Sequence, residues 1–113
     1  MTKSIRLPVY KSSYDLFLYS FKLIGNLRRD YKYTVGEKLK DEIMDLMMNV
    51  YRANKGKEKR KHIEKAIENI EVTRILFRLL KDLKQISLNH FAIVSKKIEE
   101  VSRQLFGWLK SVS

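Results

Sequence analysis

Residues 33–54, YTVGEKLKDEIMDLMMNVYRAN, decide the fold. Leu39, Ile43, Leu46 and Val50 recur at helical spacing, and Met47 and Tyr51 widen the stripe. One face of this segment is built for a core. Thr34 followed by Glu37 has the form of a capping box, in which the threonine oxygen accepts the N3 amide and the glutamate reaches back to the N-cap amide. The helix is expected over about residues 35–54, with Asn54 and Gly56 as stop signals. It runs directly into the most basic segment of the chain.

Upstream, residues 1–11 are expected as an extended arm, because Pro8 biases Leu7 toward extended geometry. A first helix is predicted to start near Ser12 or Ser13, with Ser12 and Asp15 as a partial capping box. Tyr14, Phe17, Phe21 and Ile24 form its stripe, broadened by Leu16, Leu23 and Leu27. Gly25-Asn26 weakens its end, and residues 30–33 form a short connection. Downstream, a third helix is predicted over about residues 59–85, about 40 Å long at about 1.5 Å per residue. Ile63, Ile67 and Ile70 open its face. Val72, Leu76, Leu79, Leu83 and Ile86 continue it, with Phe77 and Leu80 alongside. Ser87 caps a fourth helix, with Ile86 and Phe91 at the hydrophobic-staple positions. Phe91, Val94, Ile98, Val101, Leu105, Trp108 and Val112 then repeat at alternating steps of three and four, the pattern of bundle packing. The fold class is all-α: an antiparallel up-down four-helix bundle, with residues 1–113 as one domain.

Apolar residues fall on more than one face of three helices, as at Leu18 and Tyr19, Leu76 and Leu80, and Phe106 and Leu109. Self-association would cover them. Scattered surface apolar residues are the plainer alternative.

Charge narrows the function. The chain of 113 residues carries 24 Lys and Arg against 13 Asp and Glu, a formal net charge of +11. That balance points to an anionic partner: nucleic acid, an anionic membrane or an acidic protein. The chain has no cysteine, which excludes disulfides, thiol catalysis and thiolate metal sites. No apolar run approaches the ~20 residues of a membrane span, and the N-terminus lacks a signal-peptide core. A soluble, cytoplasmic protein is expected. The four glycines are dispersed, so no phosphate-cradling loop exists. Lys59 and Ser87 stand three residues before His62 and His90, where a di-iron bundle would need glutamate. The acidic pairs Asp41-Glu42 and Glu99-Glu100 read as solvated face charges, since helix neighbours point about 100° apart. No catalytic residue, cofactor or metal ligand is predicted.

The positive signal is basic. Arg52, Lys55, Lys57, Lys59, Arg60, Lys61 and Lys65 cluster around the turn between the second and third helices, opposed only by Glu58 and Glu64. Arg74, Arg78 and Lys81 form a stripe at i, i+4 and i+7. Arg28 and Arg29 lie beside Tyr31 and Tyr33. Such a surface, without a groove-reading motif, suits contact with the phosphates of RNA or DNA. The alternatives are a solvated loop for the cluster, pairing with Glu71 and Asp82 for the stripe, and helix-end packing rather than base stacking for the tyrosines. The long apolar faces suit mutual packing better than a membrane surface.

The segments LPVYKSSYDLFL (7–18), YTVGEKL (33–39), VYRAN (50–54), LLKDLKQIS (79–87) and IEEVSRQLFGWLKS (98–111) resemble the accessory variability determinant (Avd) proteins of diversity-generating retroelements. These belong to a wider four-helix-bundle family that includes proteins encoded by intervening sequences in 23S rRNA genes. The family typically has Gly-Gly before the tryptophan, whereas this chain has Phe106-Gly107-Trp108. The resemblance implies a non-enzymatic protein that forms a barrel-like homopentamer with a positive surface. It implies association with the retroelement's reverse transcriptase and with nucleic acid, in support of error-prone, adenine-directed copying of template RNA into cDNA. An intervening-sequence protein that contacts RNA without a polymerase, and a structural oligomer that binds an acidic protein, remain as alternatives.

Overall fold

The computed structural model describes residues 8–112. Its elements are α1 (Pro8–Gly25), the single-turn α2 (Arg29–Lys32), α3 (Val35–Lys55), α4 (Lys59–Asp82) and α5 (Leu88–Ser111). There is no strand among the described residues. α1 packs on α3 and α5, and α4 packs on the same two helices, so the four long helices form a square. The short connections make successive helices alternate in direction, giving a bundle 41 Å long and about half as wide.

α1 begins earlier than its capping signals suggest. Pro8 opens the helix, where a missing N–H and a fixed φ are no handicap. Residues 8–11, expected as the end of an arm, are therefore helical; the rest of that arm lies outside the described residues. Ser12 sits inside the helix, and Asp15 pairs with Lys11 at 3.6 Å rather than closing a capping box. The capping box at Thr34 also fails to form. The Thr34 hydroxyl donates backward to the Asp30 carbonyl at 2.6 Å, tying α3 to α2, and Glu37 pairs with Lys40 at 3.5 Å. Gly36 lies so close beneath α1 that a Cβ there would meet the Ile24 side chain at 2.9 Å. The cap at Ser87 is as expected: its hydroxyl accepts the His90 amide at 3.0 Å.

The core stripes of α3 and α5 match the sequence reading. Leu39, Ile43, Leu46 and Val50 are fully buried, as are Val94, Val101 and Leu105. α1 and α4 are rotated from expectation. The buried face of α1 is Val9, Leu16, Leu23 and Ile24, with Ser13 and Ser20 fully buried among them and Leu27 continuing it just past the helix end. Tyr14 is exposed and stacks on half-buried Phe17, whose ring in turn meets half-buried Phe21 at a tilt. On α4 the core positions are Ile63, Ala66, Ile70, Phe77 and Leu80, with Thr73. Leu79 and Leu83, expected in the core, face outward together with Ile75. α4 has two apolar stripes, and sequence spacing alone does not tell which one is inside.

α4 also ends three residues early. Lys84 adopts φ 60°, Gln85 N–H bonds the Leu80 carbonyl at 2.8 Å, and Lys84 N–H bonds that of Lys81 at 2.9 Å. That is a Schellman ending with lysine where glycine is usual.

Candidate nucleic-acid interface

The connection between α3 and α4 is three residues, Gly56 to Glu58, so the last turn of α3 and the first turns of α4 lie side by side. Their relative register is fixed by a polar chain across the seam. Lys38 pairs with Glu42 at 3.1 Å, Glu42 accepts from Asn69 Nδ2 at 3.0 Å, and Asn69 Oδ1 accepts from Asn49 Nδ2 at 2.8 Å. Glu42 is thus no solvated face charge; its side chain is only 12% exposed. The bond to Glu42 pushes the Lys38 pKa above its usual value. A buried amide pair permits one register where apolar contacts would tolerate several.

Register places the cations. Arg52 and Lys55 occupy the last turn of α3, where a C-terminal dipole favours them. α4 opens with Lys59, Arg60 and Lys61 and has no acidic residue in its first turn. Cations at a helix N-terminus oppose its dipole. The same arrangement concentrates positive potential where orphan amides already attract anions.

The seven cations are not equivalent. Lys59 donates to the carbonyls of Ala53 at 3.0 Å and Asn54 at 3.3 Å, so it closes the C-terminus of α3 and is a structural residue. Lys55 donates to the Tyr51 hydroxyl at 3.2 Å and lies over its ring. Arg60 pairs with Glu64 at 3.2 Å and Lys61 with Glu58 at 3.3 Å, both in exposed geometry that an incoming phosphate can exchange. Arg52, Lys57 and Lys65 are exposed and make no ion pair among the described residues. α5 returns to this end of the bundle and brings Lys110 in its last turn, a cation the sequence reading did not include.

The other expected site residues lie elsewhere and are mostly engaged. Arg74 spans two helices, bonding Glu71 on α4 and Glu99 on α5. Burial pushes its pKa down, and the bonds to the two carboxylates more than offset that, leaving it raised. Arg74 therefore belongs to the α4–α5 seam, and Glu99, an exposed face charge as expected, is its partner on α5. Arg78 reaches Asp82 at 4.0 Å, while Lys81 pairs with Asp82 at 3.3 Å and lies over the Phe91 ring. Arg28 and Arg29 are exposed at the end opposite the α3–α4 turn, with Arg29 over the ring of Tyr33. Tyr31 is half-buried against the core.

No described helix is long and apolar enough to cross a membrane. The family model described as bAvd-like matches residues 8–112, and no curated protein matches the chain.

Proposed function

The chain belongs to the bAvd-like family, and on that premise we propose that it is a non-enzymatic accessory subunit of a diversity-generating retroelement. It associates with the element's reverse transcriptase and holds template RNA or its cDNA by the phosphate backbone, supporting mutagenic copying. The observation that carries nucleic-acid binding is the α3–α4 turn, where Arg52, Lys57 and Lys65 are exposed and make no ion pair among the described residues, around a helix whose N-cap is Glu58 but whose first turn has no acidic residue. Arg60 and Lys61 add charges that sit in exposed pairs. Contacts of this kind are salt-sensitive and indifferent to sequence, which suits a subunit that positions a template for another enzyme. The subunits assemble side by side as a barrel-like pentamer, so that several turns add their fields at one end.

Co-purification from the native host at modest salt tests this reading. A reverse transcriptase retained with its template RNA is the expected result. RNA without a polymerase would indicate an intervening-sequence protein, and an acidic protein without RNA would overturn the nucleic-acid reading.

A further inference from the structure

The bundle has two opposite sides that match each other better than either matches water. One is the outer α3–α4 side. On α4 it carries the second apolar stripe, with Ile75 64% exposed and Leu79 and Leu83 each 40% exposed. Beside that stripe runs a short acidic seam, unusual on a chain of net charge +11. Glu42 and Asn49 face α4 through Asn69, and Asp45 lies one turn from each, on the same side of α3. Asp41 is one turn further along, and Glu68 precedes Val72 and Ile75 on α4 by one and two turns. Asp41, Asp45 and Glu68 make no ion pair among the described residues. Lys38, which feels the charge of both aspartates, is already bonded to Glu42.

The other is the α1–α5 side. Because α1 and α5 pack together and α3 and α4 pack together, these two sides are opposite edges of the square. The α1–α5 side is grooved, with one hollow of about 390 Å³ bounded by Asp15, Ile93, Lys96, Lys97 and Glu100 and a neighbouring one of about 280 Å³ bounded by Asp15, Leu18, Tyr19, Lys22 and Lys97. Leu18 and Ile93 offer apolar surface, 52% and 37% exposed. Lys22 and Lys96 have no carboxylate partner among the described residues, since Asp15 is taken by Lys11 and Glu100 by Arg103.

We infer that the occupant of the α1–α5 groove is the outer face of α4 from a second copy of this chain, with Asp41 and Asp45 of that copy set against Lys22 and Lys96. Ridge meets groove, apolar meets apolar, and unpaired carboxylates meet unpaired ammonium groups. The contact is heterologous: each subunit uses one side to give and the opposite side to receive. Such a contact propagates around a ring and closes where the rotation allows. It runs along the sides of the bundle. This assignment rests on the side-by-side assembly proposed above and adds which faces make it.

Charge reversal with rescue tests it. The wild-type chain is expected to sediment as a defined multiple of 13.5 kDa at low salt. Asp41→Lys with Asp45→Lys should reduce it to a 13.5 kDa species, and so should Lys22→Glu with Lys96→Glu, each with unchanged helical circular dichroism. All four substitutions in one chain re-create complementary faces and should regain the wild-type mass. Assembly that survives either pair, or a fourfold variant that stays monomeric, overturns the face assignment while leaving the oligomer itself standing. A wild-type chain that sediments at 13.5 kDa overturns both.

Discussion

The two ends of the bundle are both rich in lysine and arginine, yet they are built differently. At the α3–α4 end Arg52, Lys57 and Lys65 are unpaired and the nearest carboxylates, Glu58 and Glu64, hold theirs in exposed pairs. On the last turns of α4 the cations are engaged, Arg78 and Lys81 with Asp82 and Lys81 again over Phe91, whereas Arg28 and Lys84 at that end are exposed, make no ion pair among the described residues and lie on separate connections. The lesson is that the number of cations in a segment does not locate a phosphate site. What locates it is how many are uncommitted once the helices have packed.

The largest effect should come from removing the scaffold that holds both ends. Ile98 is 1% exposed at the centre of α5, so Ile98→Asp buries an unpaired carboxylate at a cost of several kcal/mol. Loss of the helical signal at room temperature, by circular dichroism, is the expected result; a cooperative melt near that of wild type would contradict the packing described here.

Next is the seam that sets the turn. Asn69→Leu leaves Asn49 without its partner and Glu42 with Lys38 alone, and should cost about 1–3 kcal/mol in urea unfolding. No comparable loss is expected from Arg78→Ala, whose one pair is long and exposed.

Glu58 and Lys84 sharpen the comparison, because each sits at φ 60° in the connection at one end of α4. Glycine relieves a left-handed conformation by about 1 kcal/mol. Glu58→Gly and Lys84→Gly should therefore raise the unfolding midpoint by similar amounts. They should differ in binding. Glu58→Gly removes a carboxylate from the α3–α4 cluster and should tighten RNA binding, whereas Lys84→Gly should leave affinity within about twofold.

The smallest effect concerns acid. Hydrogen bonds from Arg103, and then Gln104, hold the Glu100 carboxyl below its ordinary value of 4.5. A carboxylate with a lowered native pKa adds stability above the ordinary range and loses it as pH falls through the native value. Glu100→Gln should slightly lower stability at pH 7, leave it unchanged at the acid extreme, and so slightly flatten the limb between. An acid limb identical to wild type would mean that these bonds do not persist in solution.

Much of the fold is legible in the sequence because α3 and α5 each carry one apolar stripe, and a single stripe has only one way to face the core. α1 and α4 carry two. The aromatic stripe of α1 reads as core by size, yet small buried Ser13 and Ser20 let Leu16 and Leu23 approach the neighbouring helices instead. On α4 the choice between Leu79 and Leu80 depends on partners that only the packed bundle supplies. Capping signals mislead at Ser12 and Thr34 for a related reason: Pro8 and the Asp30 carbonyl offer alternatives that the local pattern does not weigh. The basic cluster is legible as a segment. The role of Lys59 is not, because its partners are the carbonyls of Ala53 and Asn54 across a turn. The Asn49–Asn69 pair left only a faint signal, two amides at inward positions of facing helices.

The most direct test of the central claim compares two charge-reversed variants in a salt titration of single-stranded RNA binding. One carries Arg52→Glu, Lys57→Glu and Lys65→Glu at the uncommitted end. The other carries Arg78→Glu and Lys81→Glu at the committed end. For the first variant, affinity at low salt should fall at least about a hundredfold, with the slope of log affinity against log salt shallower by about two to three. The second variant should keep its slope and stay within about threefold of wild type. Equal losses in the two variants, or a wild-type affinity that does not depend on salt, would contradict the central claim.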